Sequence, residues 1–232
     1  MVRAIVFDLD NTLMDFMKMK EMGVQGAVGA MLDAGLPIPA EDAHRKIYEI
    51  YRLEGIEYQR VFDEFLHTEL GRIDPKLLAA AIVGYRRTRE SALVVYPHTH
   101  QTLIELSKRG LRLAVVSDAP RLQAWLRLTY LQLQHLFDAV VAWEDTGRRK
   151  PSPEPFERAL ELLGVPAAEA LMVGDWAERD VVGAKRIGML TAFARYGDTF
   201  GTEHSGADYE LLDIRDLLDV VDRLNGGPAA RA

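Results

Sequence analysis

The chain is predicted to fold as an α/β protein, a doubly wound parallel sheet interrupted near its start by an all-helical insertion. Three observations carry this. The run Val2 to Phe7 is β-branched and aromatic, which reads as a buried strand. From about Phe16 to Ser91 only helical periodicity follows. From Leu111 onward, short apolar runs alternate with amphipathic helices, the pattern that folds into a parallel sheet with helices on both faces.

In order, the first strand ends in Asp8-Leu9-Asp10-Asn11-Thr12. Met17 to Ala34 is helical in period, with Val24, Ala27, Val28, Met31 and Leu32 on one face, until Pro37 and Pro39 break it. Helices over Glu41–Leu53, Glu57–Leu70 and Asp74–Arg89 follow, the last with Asp74-Pro75 as cap and first helical position. Pro97 opens a helix to Lys108 that Gly110 stops. Strands are expected at Leu111–Val116, Ala139–Trp143, Ala170–Val173 and Met189–Phe193, with a weak one at Tyr209–Leu211. Helices are expected at Pro120–Leu131, Pro153–Leu163, Ala177–Ile187 and Ile214–Leu224, and a loose tail at Gly226–Ala232. The domain reading is a doubly wound core of residues 1–15 and 92–232, and a helical cap of residues 16–91 over the sheet's C-terminal edge.

Composition narrows the function. With 232 residues and 48% hydrophobic content, the chain can bury a proper core. A net charge of −7 disfavours general nucleic-acid binding but not a small phosphorylated substrate held by local groups. No cysteine is present, so disulfides, thiolate catalysis and thiolate metal sites are excluded. No secretory leader and no membrane-length apolar run is legible, so a cytoplasmic protein with no membrane partner, monomeric or homodimeric, is expected.

Four places at strand ends or loops carry the chemistry. Asp8 and Asp10 end the first strand, where two buried carboxylates are costly unless a metal or a catalytic duty compensates. Alone, such a pair also fits a turn or a helix cap. Ser117-Asp118-Ala119 follows the next strand and suits an oxyanion, or a simple cap. An extra carboxylate beside phosphate is repulsive, so the Asp118 side chain is expected to turn away. Lys150, between Arg149 and Pro151, sits on a proline-stiffened loop, or is a solvated member of a basic run. Gly174-Asp175 closes a further strand, with Asp180 early in the following helix, where it also suits the helix dipole. Together these supply hard oxygen ligands for Mg²⁺, a cation and hydroxyl for phosphate, a carboxylate nucleophile, and a second carboxylate to move the proton.

The order Asp8-Leu9-Asp10-Asn11-Thr12, then Ser117, then Lys150-Pro151, then Gly174-Asp175 with Asp180, resembles the haloacid dehalogenase superfamily across essentially the whole chain. The helical insertion after the first motif resembles its subclass I members, with a Rossmann-like core and a helical cap. The resemblance implies Asp8 as nucleophile and metal ligand, and Asp10 as general acid and base with its carbonyl on Mg²⁺. It implies Thr12 as a brace, Ser117, Asp118 and Lys150 at the phosphoryl group, and Asp175 and Asp180 on the metal. Trp176 departs from the small polar residue often found there and is either a substrate-facing aromatic or packing. The presence of Asp10 favours phosphoryl transfer to water over attack on carbon, hence a phosphatase for a small phosphorylated metabolite. A phosphomutase of the β-phosphoglucomutase type uses the same residues, and a non-catalytic binding module is the alternative from another class.

In the insertion, Gly23, Gly26 and Gly29 recur every three residues and suit close helix approach or merely loosen the helix. The Met14, Met17, Met19, Met22 series reads as core or as an adaptable lining. Tyr51, Tyr58, Arg60, Tyr85 and Arg86 are candidates for contacting substrate, most of them expected to face solvent. His98 and His100 read as surface or capping residues rather than a metal site.

Overall fold

A computed structural model describes residues 1–226. The tail beyond Gly226, expected to be loose, lies outside the described residues. The first strand, β1 (Ala4–Phe7), is followed by four helices, α1 (Phe16–Asp33), α2 (Ala40–Glu54), α3 (Val61–Leu70) and α4 (Pro75–Ala92). Next come α5 (Thr99–Lys108), β2 (Arg112–Val116), α6 (Arg121–Tyr130), β3 (Ala139–Val141), the short α7 (Trp143–Thr146) and α8 (Glu154–Leu163). The chain continues with β4 (Ala170–Gly174), α9 (Val182–Arg186), β5 (Leu190–Ala194), β6 (Tyr209–Leu211) and α10 (Asp216–Asn225). Two compact units result: Met1–Asp15 with the chain from Val94 onward, and Phe16–Leu93.

In the first unit, six parallel strands pair in the order β3-β2-β1-β4-β5-β6. All four residues of β1 are fully buried, as a central parallel strand covered on both faces requires. Ala4 and Val6 share a core with Ala114, Val116, Met172 and the α8 residues Phe156 and Ala159. Phe7 of β1 pairs with Val115 on one side and Val173 on the other. The register therefore sets Asp8, Ser117 and Asp175 within two residues of a common level at the C-terminal edge, where the strand order reverses and α/β proteins place ligands.

Some elements differ from expectation for local reasons. The strand after α6 stops at Val141, because the Asp145 carboxylate accepts the Ala142 N–H at 2.7 Å and turns the chain into α7. The expected helix 177–187 is split into one wide π turn, Ala177–Val181, and α9. The helix expected from Glu57 starts at Val61, after Gly55 at φ 94° closes α2 and a turn joins Tyr58 N–H to the Gly55 carbonyl. Asp74 caps α4 as expected, accepting from the N–H groups of Lys76 at 2.9 Å and Leu77 at 3.4 Å.

The helical unit has its own core, in which Val24, Ala27, Val28 and Met31 of α1 pack with Ile47, Phe62, Phe65, Leu66, Leu77 and Ala81. Its glycines divide by role. A Cβ at Gly84 of α4 would lie 2.3 Å from the Gly26 carbonyl oxygen, so α1 and α4 touch backbone to backbone there. A Cβ at Gly29 would meet nothing. Tyr51 is buried rather than solvent-facing, and Lys20, itself buried, places its ammonium 4.2 Å from the Tyr51 ring centre. His98 pairs with Asp213 and His100 with the Leu131 carbonyl, so both are structural. No helix among the described residues is long and apolar enough to cross a membrane.

The close approach of α1 and α4 has a measurable consequence. Gly84→Val is expected to lower the melting temperature by roughly 4–8 °C, from about 2 kcal/mol of overpacking. Gly29→Ala is expected to raise it by about 2 °C through helix propensity. Equal effects of the two changes in thermal unfolding would contradict the packing described.

Candidate active site

The end of β1 is the centre of the site. Asp8 stands one residue past the last strand pair, its N–H bonded to the Val173 carbonyl at 2.8 Å. Its Oδ1 lies 2.5 Å from Nζ of Lys150, and Oδ1 of Asp180 lies 2.7 Å from the same ammonium. Lys150 is 5% exposed and Asp180 1%. The solvated alternative for Lys150 is thus replaced by a buried ammonium between two carboxylates. Burial opposes its charge, but Asp180, Asp8 and Asp118 outweigh burial and hold its pKa above the usual lysine range.

Asp175 joins from the end of β4, accepting from the Thr12 hydroxyl at 2.9 Å. One carboxylate oxygen from each of Asp8, Asp175 and Asp180 falls within 4.8 Å of the others, all three residues being buried. Burial raises Asp8 to about 7, against the pull of Lys150 and with the help of Asp180 and Asp10. Burial, then Asp8 and Asp180, push Asp175 well above the carboxylate range, against Thr12 and Lys150. Three buried carboxylates sharing one ammonium carry more negative charge than the protein offsets. Such a group of hard oxygens fits a divalent cation.

The backbone around these groups is built for close approach. A Cβ at Gly174 would sit 2.3 Å from Cγ of Asp180, so only glycine lets that carboxylate in. Asp180 rides on the wide turn Ala177–Val181 and accepts from the Trp176 N–H at 3.0 Å. Asn11 lies at φ 57°, a left-handed conformation that asparagine tolerates. Against it packs the turn at Tyr196-Gly197, where a Cβ on Gly197 would fall 1.6 Å from the Asn11 carbonyl oxygen. The Tyr196 hydroxyl donates to the Thr12 carbonyl at 2.8 Å. The loop after β1 is therefore braced by Thr12 from within and by Tyr196 from outside.

Ser117 is buried at the end of β2, and its Oγ accepts from the Ala119 N–H at 3.1 Å, so it serves as a turn cap. Accepting leaves its own proton able to donate. The Asp118 carboxylate is engaged on both oxygens: Oδ1 accepts the Lys150 N–H at 2.9 Å and Oδ2 accepts from Arg179 at 3.0 Å, which ties the Lys150 loop to the end of β2. Trp176 packs against Phe200 with ring centres 4.4 Å apart, and the Arg179 guanidinium lies 3.7 Å from its ring centre.

Asp10 is not part of the carboxylate group. Its Oδ2 accepts from Nη1 of Arg127 at 2.6 Å, and the Arg127 side chain is 7% exposed. Arg127 was not anticipated, although a signal existed. On α6 it falls on the apolar face formed by Ala124 and Leu128, both fully buried, where a long cation needs a buried partner. Arg179 and Tyr196 left no comparable mark, since their hydrogen-bond partners, Asp118 and the Thr12 carbonyl, lie far away in sequence.

Residues 5–194 match the family model described as haloacid dehalogenase-like hydrolase. The glyceraldehyde 3-phosphate phosphatase of Methanocaldococcus jannaschii is 35% identical over 97% of this chain and 99% of its own. That of Methanopyrus kandleri is 36% identical over the same shares of the two chains. The crystal structure of a haloacid dehalogenase-type phosphatase from Thermococcus onnurineus superposes with a TM-score of 0.70 at 25% identity, covering 99% of this chain and 100% of that one.

The raised carboxylates fix a pH trend. Between about pH 4 and 7 the folded, ion-free protein keeps protons on Asp8 and Asp175 that the unfolded chain has lost, so stability falls as pH rises. In a chelator, the melting temperature is expected to drop from pH 5 to pH 8, and Asp175→Asn to flatten the drop and raise the value at pH 8 by roughly 2–6 °C. A variant less stable than the parent at pH 8 would contradict the excess of negative charge.

Proposed function

The chain belongs to the haloacid dehalogenase-like hydrolase family, and from that premise we propose that it is a Mg²⁺-dependent phosphatase forming an aspartyl-phosphate on Asp8. The observation that carries the reading is the buried contact of Asp8 with Lys150, beside the carboxylates of Asp175 and Asp180. A lysine at 2.5 Å holds the carboxylate of Asp8 in one orientation and offers the incoming phosphoryl group a positive charge. Asp8, Asp175 and Asp180, with the Asp10 carbonyl, would hold Mg²⁺. When bound, Mg²⁺ supplies positive charge to offset that of the transferring group and of the carboxylates themselves.

The chain's own residues divide the reaction as follows. The Asp8 carboxylate attacks phosphorus, and the bond from phosphorus to the leaving oxygen breaks. Asp10 gives that oxygen its proton. Water then attacks the phosphoryl group while Asp10 takes its proton, and the bond to Asp8 breaks, releasing phosphate and restoring the Asp8 carboxylate and the protonated Asp10. Ser117 and Lys150 orient the phosphoryl oxygens throughout. Thr12 keeps Asp175 aligned, and Trp176 with Phe200 and Arg179 walls the site on the β4 side.

The substrate is a small phosphorylated metabolite, and a three-carbon sugar phosphate is the first choice. Near full-length similarity to relatives named for glyceraldehyde 3-phosphate supports it. Phosphate release from glyceraldehyde 3-phosphate with Mg²⁺ is expected to exceed that from larger sugar phosphates. Asp8→Asn is expected to reduce it by at least about a thousandfold, and chelation to abolish it reversibly. Retained activity in Asp8→Asn, or in excess chelator, would overturn the mechanism. Preference for a larger substrate would overturn only the substrate.

A further inference from the structure

We propose that Tyr196 is a positioning residue for the divalent cation: its hydroxyl fixes the Thr12 peptide group, and through Thr12 the Asp175 carboxylate that would hold Mg²⁺. The inference rests on the reading of Asp8, Asp175 and Asp180 as the Mg²⁺-holding group, and extends it to a residue just past β5, outside the strand-end motifs.

The contacts form an unbroken line. The Tyr196 hydroxyl donates to the Thr12 carbonyl at 2.8 Å, and the Thr12 hydroxyl donates to Oδ1 of Asp175 at 2.9 Å. Thr12 between them is fully buried. The neighbouring carbonyls of the loop are held as well. That of Asn11 packs against Gly197, where a Cβ would fall 1.6 Å from its oxygen and 3.3 Å from Cβ of Asp175. That of Leu13 accepts the Tyr96 N–H at 3.1 Å, and the Tyr96 ring stands edge-on to Tyr196 with ring centres 5.1 Å apart. The turn at Tyr196-Gly197 therefore touches both the loop after β1 and the side chain of Asp175.

Three physical facts turn this line into control of a metal site. Threonine is β-branched and stiff at χ1, so the direction of its hydroxyl follows its backbone. A carboxylate beside two others is repelled unless a donor holds it, and Asp175 faces Asp8 and Asp180 in this way. A ligand already held in place gives up less freedom when the cation binds. Hydrogen-bond partners outside the ligands themselves act on metal affinity by this route.

The test measures the dissociation constant for Mg²⁺ alone, without substrate, by titration calorimetry. Thr12→Val is expected to weaken binding about tenfold or more. Tyr196→Phe, which removes one neutral hydrogen bond and little volume, is expected to weaken it about three- to tenfold. In turnover, the Mg²⁺ concentration for half-maximal rate is expected to rise by a similar factor, while kcat at saturating Mg²⁺ falls less than about twofold. In the Thr12→Val background, Tyr196→Phe is expected to cost no further affinity. Unchanged Mg²⁺ affinity in Tyr196→Phe, even at a lowered melting temperature, overturns the proposal and leaves Tyr196 a structural brace. A full further loss in the double variant also overturns it, because Tyr196 would then act by another route. No Mg²⁺ binding by the wild-type protein overturns the metal reading beneath it. Should Tyr196→Phe fail to fold, amide exchange of the wild-type protein decides the matter. Coupling is reciprocal, so saturating Mg²⁺ is expected to slow exchange at Gly197 and Asp198 about threefold or more. Unchanged exchange at that turn overturns the role.

Discussion

One buried ammonium organises this molecule. Lys150 lies between Asp8 and Asp180 with almost no contact with water. Removing a lysine and two carboxylates from solvent is unfavourable unless each charge finds a partner. The surrounding structure can be understood as what makes that arrangement tolerable. The sheet register brings Asp8 and Asp175 to one level at the C-terminal edge. Gly174 leaves room for the Asp180 carboxylate, and Asp118 ties the Lys150 backbone to the end of β2. Thr12 and Tyr196 hold the loop after β1, whose Asn11 adopts a left-handed conformation.

The arrangement is compensated only in part, and function follows from the remainder. Asp175 brings a third carboxylate to the group without a second lysine. A phosphoryl substrate would add further negative charge. On the proposed reading, a divalent cation would offset that excess of negative charge. Stability and activity oppose each other here, as they commonly do where like charges are held together for catalysis. Asp10 and Arg127 are managed separately, as a pair of opposite charges beside the group rather than within it.

The placement of the strand-end residues was more legible in the sequence than what supports them. The α/β order and the strand-end positions of Asp8, Ser117 and Asp175 follow from runs that are locally unambiguous, such as Ile5-Val6-Phe7 against the acidic residues after it. Lys150 was legible as a loop residue, but its burial was not, because adjacent Arg148 and Arg149 make the run look solvated. Asp118 shows the limit more sharply. Electrostatics indicated that its side chain turns away from phosphate, yet its partners, the Lys150 backbone and Arg179, are distant in sequence. Arg127 was partly legible, as a charge on the buried stripe of Ala124 and Leu128. The wide turn at Ala177–Val181 was not, since its residues carry an ordinary helical pattern.

The central claim is that Asp8 becomes phosphorylated during turnover. The most direct measurement is acid quenching during steady-state turnover with Mg²⁺, followed by peptide mass spectrometry. A phosphoryl adduct confined to the peptide bearing Asp8, formed with substrate and absent after substrate is exhausted, is the expected result. Turnover that proceeds with no adduct on Asp8, or with the adduct on another residue, would contradict the account.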